Sequence, residues 1–160
     1  MALSQPALQG ILSSATSVLY LECIMVTHSS LATPLMLVND NVDLVRTEGT
    51  FIAFPFTVRP PVQSSDQAAT IEIKADMVDQ RLITVIRTLG GKRERAQITY
   101  EVVTKGTPNV VEWGPLEFTF ESCSSNGYTE MTIVASFSLG LLNDAFPSRL
   151  FAPNNKGAIV

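Results

Sequence analysis

Residues 76–90, DMVDQRLITVIRTLG, constrain the fold more than any other stretch, because they form the only strong helical pattern in a chain that otherwise reads as strands. Val78, Leu82, Val85, Ile86 and Leu89 fall on one helix face, and Gln80, Arg81, Thr84, Arg87 and Thr88 fall mainly on the other. Asp76 is placed to cap the amino end, Asp79 adds negative charge to the first turn, and Gly90 supplies a left-handed stop. A lone helix of about fifteen residues cannot bury such a stripe by itself, so the strands around it must provide the apolar surface.

Those strands follow from alternation. Residues 17–28, apolar on both sides, predict a central strand, and Leu35-Met36-Leu37-Val38 a short one ending at Asn39-Asp40-Asn41. FIAFPF, residues 51–56, predicts an edge or irregular strand because Pro55 lacks an amide donor. Residues 70–75 and 97–104 alternate cleanly, with Ile71, Ile73, Ala75, Ile98, Tyr100 and Val102 on their apolar sides. Residues 110–121 predict a strand broken or bulged at Trp113-Gly114-Pro115, and Ser124-Ser125-Asn126-Gly127 turns it into a partner over 130–138. Ser4-Gln5-Pro6 opens a short amino-terminal helix whose stripe is Ala7, Leu8, Ile11 and Leu12. The expected class is mainly β (α+β): a β-sandwich or partly open barrel of about seven strands, with the 76–89 helix packed against it.

The 160 residues suit one domain: an arm over 1–16, a β core over 17–138 and an extended tail over 139–160. Charged residues are 16%, below the roughly 25% of an ordinary soluble domain, so part of the surface is expected to lie against another protein. The net charge of −4 argues against specific nucleic-acid binding. The apolar run 18–26 is shorter than the roughly 20 residues of a membrane-spanning helix and contains Glu22. With no basic leader evident, a soluble intracellular product is expected.

No constellation for catalysis, cofactor or metal emerges. His28 is the only histidine and no Gly-x-Ser-x-Gly elbow accompanies it, so it reads as a strand-end residue. Cys23 and Cys123 lack Cys-x-x-Cys spacing and read as small buried thiols. Asn39, Asn41 and Asp43 alternate like calcium ligands, but Leu44 and Thr50 stand where that loop needs glycine and glutamate; an Asx-rich turn is expected. Lys92, Arg93 and Arg95 form the one dense basic cluster, interrupted by Glu94.

The order of these segments is informative as a whole. Residues 21–28 and 35–39, FIAFPF, IEIKADMVDQRLITVIRTL, WGPLEFTFES, a closing strand and LLNDAFPSRLFAP together resemble a family of tailed-bacteriophage tail proteins, catalogued mainly as a domain of unknown function. The resemblance runs from about Leu19 to Pro153. The family often has proline after the histidine, where this chain has Ser29, and often closes in a Pro-Gly-Leu-Phe-like end, where it has Gly157-Ala158-Ile159-Val160. By fold-level analogy such proteins are similar to small distal-tail and tail-tip ring proteins.

The resemblance implies a virion structural protein, with no enzymatic role and no cofactor. It would form a homo-oligomeric ring of six copies joining the tail tube to the distal hub or baseplate, with a tape-measure protein in the lumen. It would sit at the distal end of the tail, and in the host cytoplasm before assembly. The assembly-interface candidates are Leu8 and Leu12 on the arm; Phe51, Phe54, Pro55 and Phe56 of the 51–56 strand with Pro60 and Pro61 after it; and Phe146, Pro147, Leu150 and Phe151 in the tail. Lys92, Arg93 and Arg95 are candidates for a lumen or ring contact. Two other readings stand beside it: a monomeric carbohydrate- or ligand-binding β-module with Trp113 and Tyr128 as stacking platforms, and a hydrolase using His28.

Overall fold

Among the described residues, alternating side chains resolve into nine strands of one mixed sheet, preceded by a short helix, α1 (Gln5–Leu12). The computed structural model describes residues 3–13, 18–59, 70–76, 84, 95–126 and 130–137. The strands are β1 (Tyr20–Thr27), β2 (Leu35–Val38), β3 (Leu44–Arg46), β4 (Gly49–Ala53), β5 (Phe56–Arg59), β6 (Thr70–Asp76), β7 (Gln97–Thr104), β8 (Thr107–Asn126) and β9 (Glu130–Phe137). They lie in the order β3-β4-β2-β1-β7-β8-β9-β6-β5, antiparallel throughout except for the parallel β2–β4 pair.

The mainly β class stands, and the two strands beyond the seven expected have a local cause. β3 is three residues long, too short for alternation to register. FIAFPF is divided at Phe54-Pro55, where proline ends one ladder and the chain starts another as the edge strand β5. The helix expected over 76–89 lies outside the described residues except for Asp76, which ends β6, and Thr84, which is helical.

The sheet curls around one main core and carries a smaller one on its other face. Ile24 and Val26 from β1, Ile71 and Ile73 from β6, Ile98 and Tyr100 from β7, Phe118 from β8 and Ile133 from β9 pack together, with Phe54 and Phe56 closing the cluster. No ladder joins β5 to β4 or β2 among the described residues, so the curl stops short of a closed barrel. On the opposite face, Leu44 and Phe51 of the β3–β4 hairpin cover Leu21, Cys23, Val38 and Val103. Here the fold is locally a two-layer sandwich, tied at its far side by the Thr47 amide donating to Asn109 Oδ1 of β8 at 2.9 Å.

This packing corrects the expected surface role of the FIAFPF rings. Phe51, Phe54 and Phe56 are 0%, 2% and 5% exposed, because strand alternation turns the first into the small core and the link between β4 and β5 turns the other two into the main one. Within that segment Pro55 alone faces solvent fully. Pro60 and Pro61 lie outside the described residues.

β8 bends where expected. Val102 pairs with Trp113 and Tyr100 with Leu116, so Glu101 alone opposes Gly114 and Pro115. Gly114 has φ +98°, and a Cβ there would sit 2.8 Å from the Tyr100 carbonyl oxygen, which is why this position takes glycine. The β8–β9 hairpin also forms as read, with Phe118 opposite Phe137 and Asn126 opposite Glu130.

One ion pair joins the layers. Arg46 of β3 donates through Nη1 to Glu101 Oε1 of β7; both residues are buried, and the guanidinium carbon lies 4.9 Å from the Phe51 ring centre. Removing Glu101 leaves the buried Arg46 with only the half-exposed Glu48 carboxylate, 3.9 Å away. We expect Glu101→Leu to lower unfolding free energy by about 3–5 kcal/mol, and Glu101→Leu with Arg46→Met to recover most of that loss in urea denaturation.

Candidate assembly surface

α1 begins as its sequence dictates. Ser4 sits in extended conformation at the cap position, its hydroxyl accepting from the Ala7 amide at 3.4 Å, and Pro6 occupies the first turn, where no intrahelical donor is needed. An eight-residue helix is marginal in isolation, and this one is held by side chains from the sheet. The Ser4 amide and hydroxyl donate to the two oxygens of Glu112 at 2.9 and 2.5 Å, and the Tyr20 hydroxyl donates to the Ala7 carbonyl at 2.9 Å. Glu112, only 3% exposed in the first half of β8, is thereby committed to anchoring the arm.

The anchoring fixes which face looks outward. Ala7 and Gly10, the smallest side chains of the helix, are buried against the subunit, while Leu8, Ile11 and Leu12 are 47%, 58% and 77% exposed. The expected stripe is therefore divided, with its small member turned in and its large members turned out. Leu19 next to the Tyr20 anchor, and Val110 and Trp113 beside the Glu112 anchor, are also exposed. α1 itself, QPALQGIL, carries no charged residue. The sequence candidates Leu8 and Leu12 lie on this outer face with Ile11 of the same stripe, and the lack of any charge in the helix is the sequence signal for all three, whereas no local pattern marks Leu19 or Val110.

The other candidates fall elsewhere. Arg95 is exposed just before β7, while Lys92 and Arg93, like Phe146, Pro147, Leu150 and Phe151, lie outside the described residues. Trp113 meets Tyr100 edge-on at 5.5 Å, and Tyr128 lies outside the described residues. An open groove of about 610 Å³ runs beside β5, lined by Pro55, Phe56, Arg59, Lys74 and Glu130 among others; Trp113 is not part of it. Its two cations are engaged, Arg59 with Glu72 at 3.4 Å and Lys74 with Glu130 at 3.2 Å.

His28 takes a turn role, its Nδ1 accepting from the Ser30 amide at 2.9 Å. Among the described residues no three His, Cys, Asp or Glu side chains converge on a metal position. The Asx-rich turn is as expected: Asp40 accepts from the Asn41 amide and Asp43 from the Ala53 amide. The Lys105 ammonium, 2.8 Å from Asp40, together with that amide, holds the Asp40 carboxyl below its usual range. Cys23 is fully buried, and burial pushes its thiol up to about 12; burial also raises Cys123.

An open mixed β-sheet with an anchored helix and an outward apolar face defines a β-rich domain whose exposed chemistry suits protein contact. The chain belongs to the family described as a domain of unknown function, DUF1833, which matches over residues 7–151 and so takes in α1 as well as the sheet. The unknown-function family implied by the order of segments is thus the one found. Among solved structures the chain is similar to one in the virion of a native gene transfer agent particle, with a TM-score of 0.64 and 14% identity. The match covers 94% of this chain and 50% of that one, so the chain spans half the length of that protein, and at this identity the likeness is one of fold. No curated protein sequence matches.

Two outcomes test this description. Glu112→Ala removes both acceptors of Ser4 and is expected to speed amide exchange across α1 while exchange in β7 and β8 stays slow. Cys23, with its raised value, stays protonated and is expected to resist iodoacetamide at pH 8.5 in the folded protein, reacting once urea unfolds the chain. Because the folded state holds that proton more tightly than the unfolded one, the contribution of Cys23 to stability falls as pH rises above the unfolded thiol value.

Proposed function

We propose that the chain is a structural component of a phage-type virion, acting as the ring-forming subunit that joins the tail tube to the distal hub. The observation that carries this reading is the apolar outer face of α1, held rigidly on the subunit by Glu112 and Tyr20 yet uncovered among the described residues. A helix that served only its own subunit would turn its leucines inward. The low charge content and the fold likeness to a chain of an assembled virion particle favour the same reading.

The role is geometric rather than catalytic. Six copies of one domain close head to tail, so that each subunit presents two different surfaces to its neighbours. Leu8, Ile11 and Leu12 supply one of them. Phe146, Pro147, Leu150 and Phe151 of the tail belong to the other, and Pro55, Pro60 and Pro61 sit at its rim. The tube above and the hub below contact the ring faces, and Lys92, Arg93 and Arg95 face the lumen with its tape-measure protein. The subunit is made in the host cytoplasm and ends in the virion. The open groove beside β5 does not include Trp113, the stacking platform that the monomeric ligand-binding reading relies on, which weakens that alternative.

Leu8→Asp with Leu12→Asp places charges on the outer helix face without touching the core. We expect the variant to keep the wild-type melting temperature within a few degrees, since surface changes cost about 0.5 kcal/mol or less, and to be absent from purified particles when it replaces the native copy. Normal incorporation of the doubly substituted chain would sink the reading.

A further inference from the structure

We infer that the β3–β4 hairpin, from Leu44 to Phe51, is a flap that lifts from the sheet as a unit while the rest of the fold stays closed, with the Arg46–Glu101 pair as its latch. Such a flap works within one subunit and does not depend on the ring reading. The hairpin covers a core of its own: Leu44 and Phe51 pack on Leu21, Cys23, Val38 and Val103, while Ile52, the next residue of β4, turns to the other face and packs against the main core. Its backbone joins the sheet only at the root, where Ile52 and Ala53 pair with Leu37 and Val38; β3 pairs with β4 and, among the described residues, with no other strand. That root is pinned. The Asn39 amide donates to the Glu22 carbonyl at 2.9 Å, Lys105 holds Asp40 at 2.8 Å, and Asp43 accepts from the Ala53 amide at 2.8 Å. Toward the tip the Thr47 amide donates to the Asn109 side chain at 2.9 Å. A segment with a separate small core and a fixed base opens below the free energy of global unfolding.

The latch makes lifting easier than the buried apolar area alone would allow. Arg46 and Glu101 are both buried, and the Arg46 Nε, buried with them, has no hydrogen-bond partner. Desolvating an ion pair costs free energy that the attraction between the partners only partly returns, and an unpaired buried donor adds a further cost. Lifting the hairpin carries Arg46 into water and rehydrates Glu101 where it stands on β7, so opening relieves both penalties. Glu48, half exposed and 3.9 Å from Arg46, is on the same hairpin and travels with it. Closing brings the pair together again and fixes the register of the flap on the sheet. Cys23, fully buried beneath the closed hairpin, becomes accessible only when the hairpin lifts and is a built-in reporter of it.

Thiol labelling and amide exchange read the opening directly. The full-length chain with Cys123→Ser keeps Cys23 as its single thiol. Below the unfolding transition its iodoacetamide labelling is expected to be slow, yet at least about tenfold faster than global unfolding permits, and to depend far less on urea than amide exchange in β7 and β9. In the unsubstituted chain the amides of residues 44–51 are expected to exchange through an opening with the same weak urea dependence. Arg46→Met with Glu101→Leu replaces the latch by apolar contact, and is expected to slow Cys23 labelling about tenfold while the urea midpoint stays close to that of the wild type. Cys23 labelling and hairpin exchange that share the urea dependence of β7 and β9 would overturn the flap, since the hairpin would then open only with the whole chain. Weakly urea-dependent labelling that the apolar pair leaves unchanged or accelerates would overturn the role of Arg46 and Glu101 as its latch.

Discussion

The fold depends on a two-residue link. β4 and β5 occupy the second and last places in the strand order, yet only Phe54 and Pro55 separate them in sequence. Laid flat, the seven spacings between those strands would span about 34 Å, whereas three successive Cα steps reach at most about 11 Å. The sheet must therefore coil until its ends approach each other, and it has one interior to fill. The Phe54 amide, donating to the Val38 carbonyl at 2.9 Å, holds the link at the end of β2 while Phe54 and Phe56 enter the core. A chain with a longer connection here would be free to leave the sheet open and those rings wet.

Coiling explains which residues misled a reading of the sequence. Alternation places Ile71, Ile73, Ala75, Ile98 and Tyr100 correctly, because each lies on a long strand with one face committed to the interior. The β8 bulge was legible too, since Gly-Pro in a strand has few other solutions. The phenylalanines of FIAFPF were not, since an apolar ring beside a proline looks the same in sequence whether the chain leaves the core or returns to it. That choice is made by pairings between segments far apart in the chain, which no local pattern encodes.

The hairpin of β3 and β4 was hidden for a related reason. Its three-residue strand Leu44-Val45-Arg46 is legible only through its partners: Glu101 across the layer, Phe51 beneath the guanidinium, and Cys23 close by. A lone arginine after two aliphatic residues, and a lone glutamate inside TYEVV, are the traces such a pair leaves in sequence. Each alone reads as an outward charge on a half-buried strand. Together they reveal a second layer, since two opposite charges are both buried only when something folds over them and brings them into contact.

The helix inverts the usual logic of an amphipathic element. Burying a leucine or isoleucine contributes about 1.5–3 kcal/mol, and α1 forgoes that contribution within its own subunit, tucking in alanine and glycine and relying on Glu112 and Tyr20 to stay in place. Hydrogen bonds contribute about 1 kcal/mol each, so the attachment is modest while the geometry is definite. Such an arrangement costs the free subunit little and leaves the larger hydrophobic gain to be collected on contact with a partner. Orientation is settled before association, by two polar anchors on β1 and β8, so that a neighbour meets a helix already set at one angle and does not have to order it. The ring proposed above would call for that combination, because copies that are only weakly committed alone must close at a fixed angle once they meet.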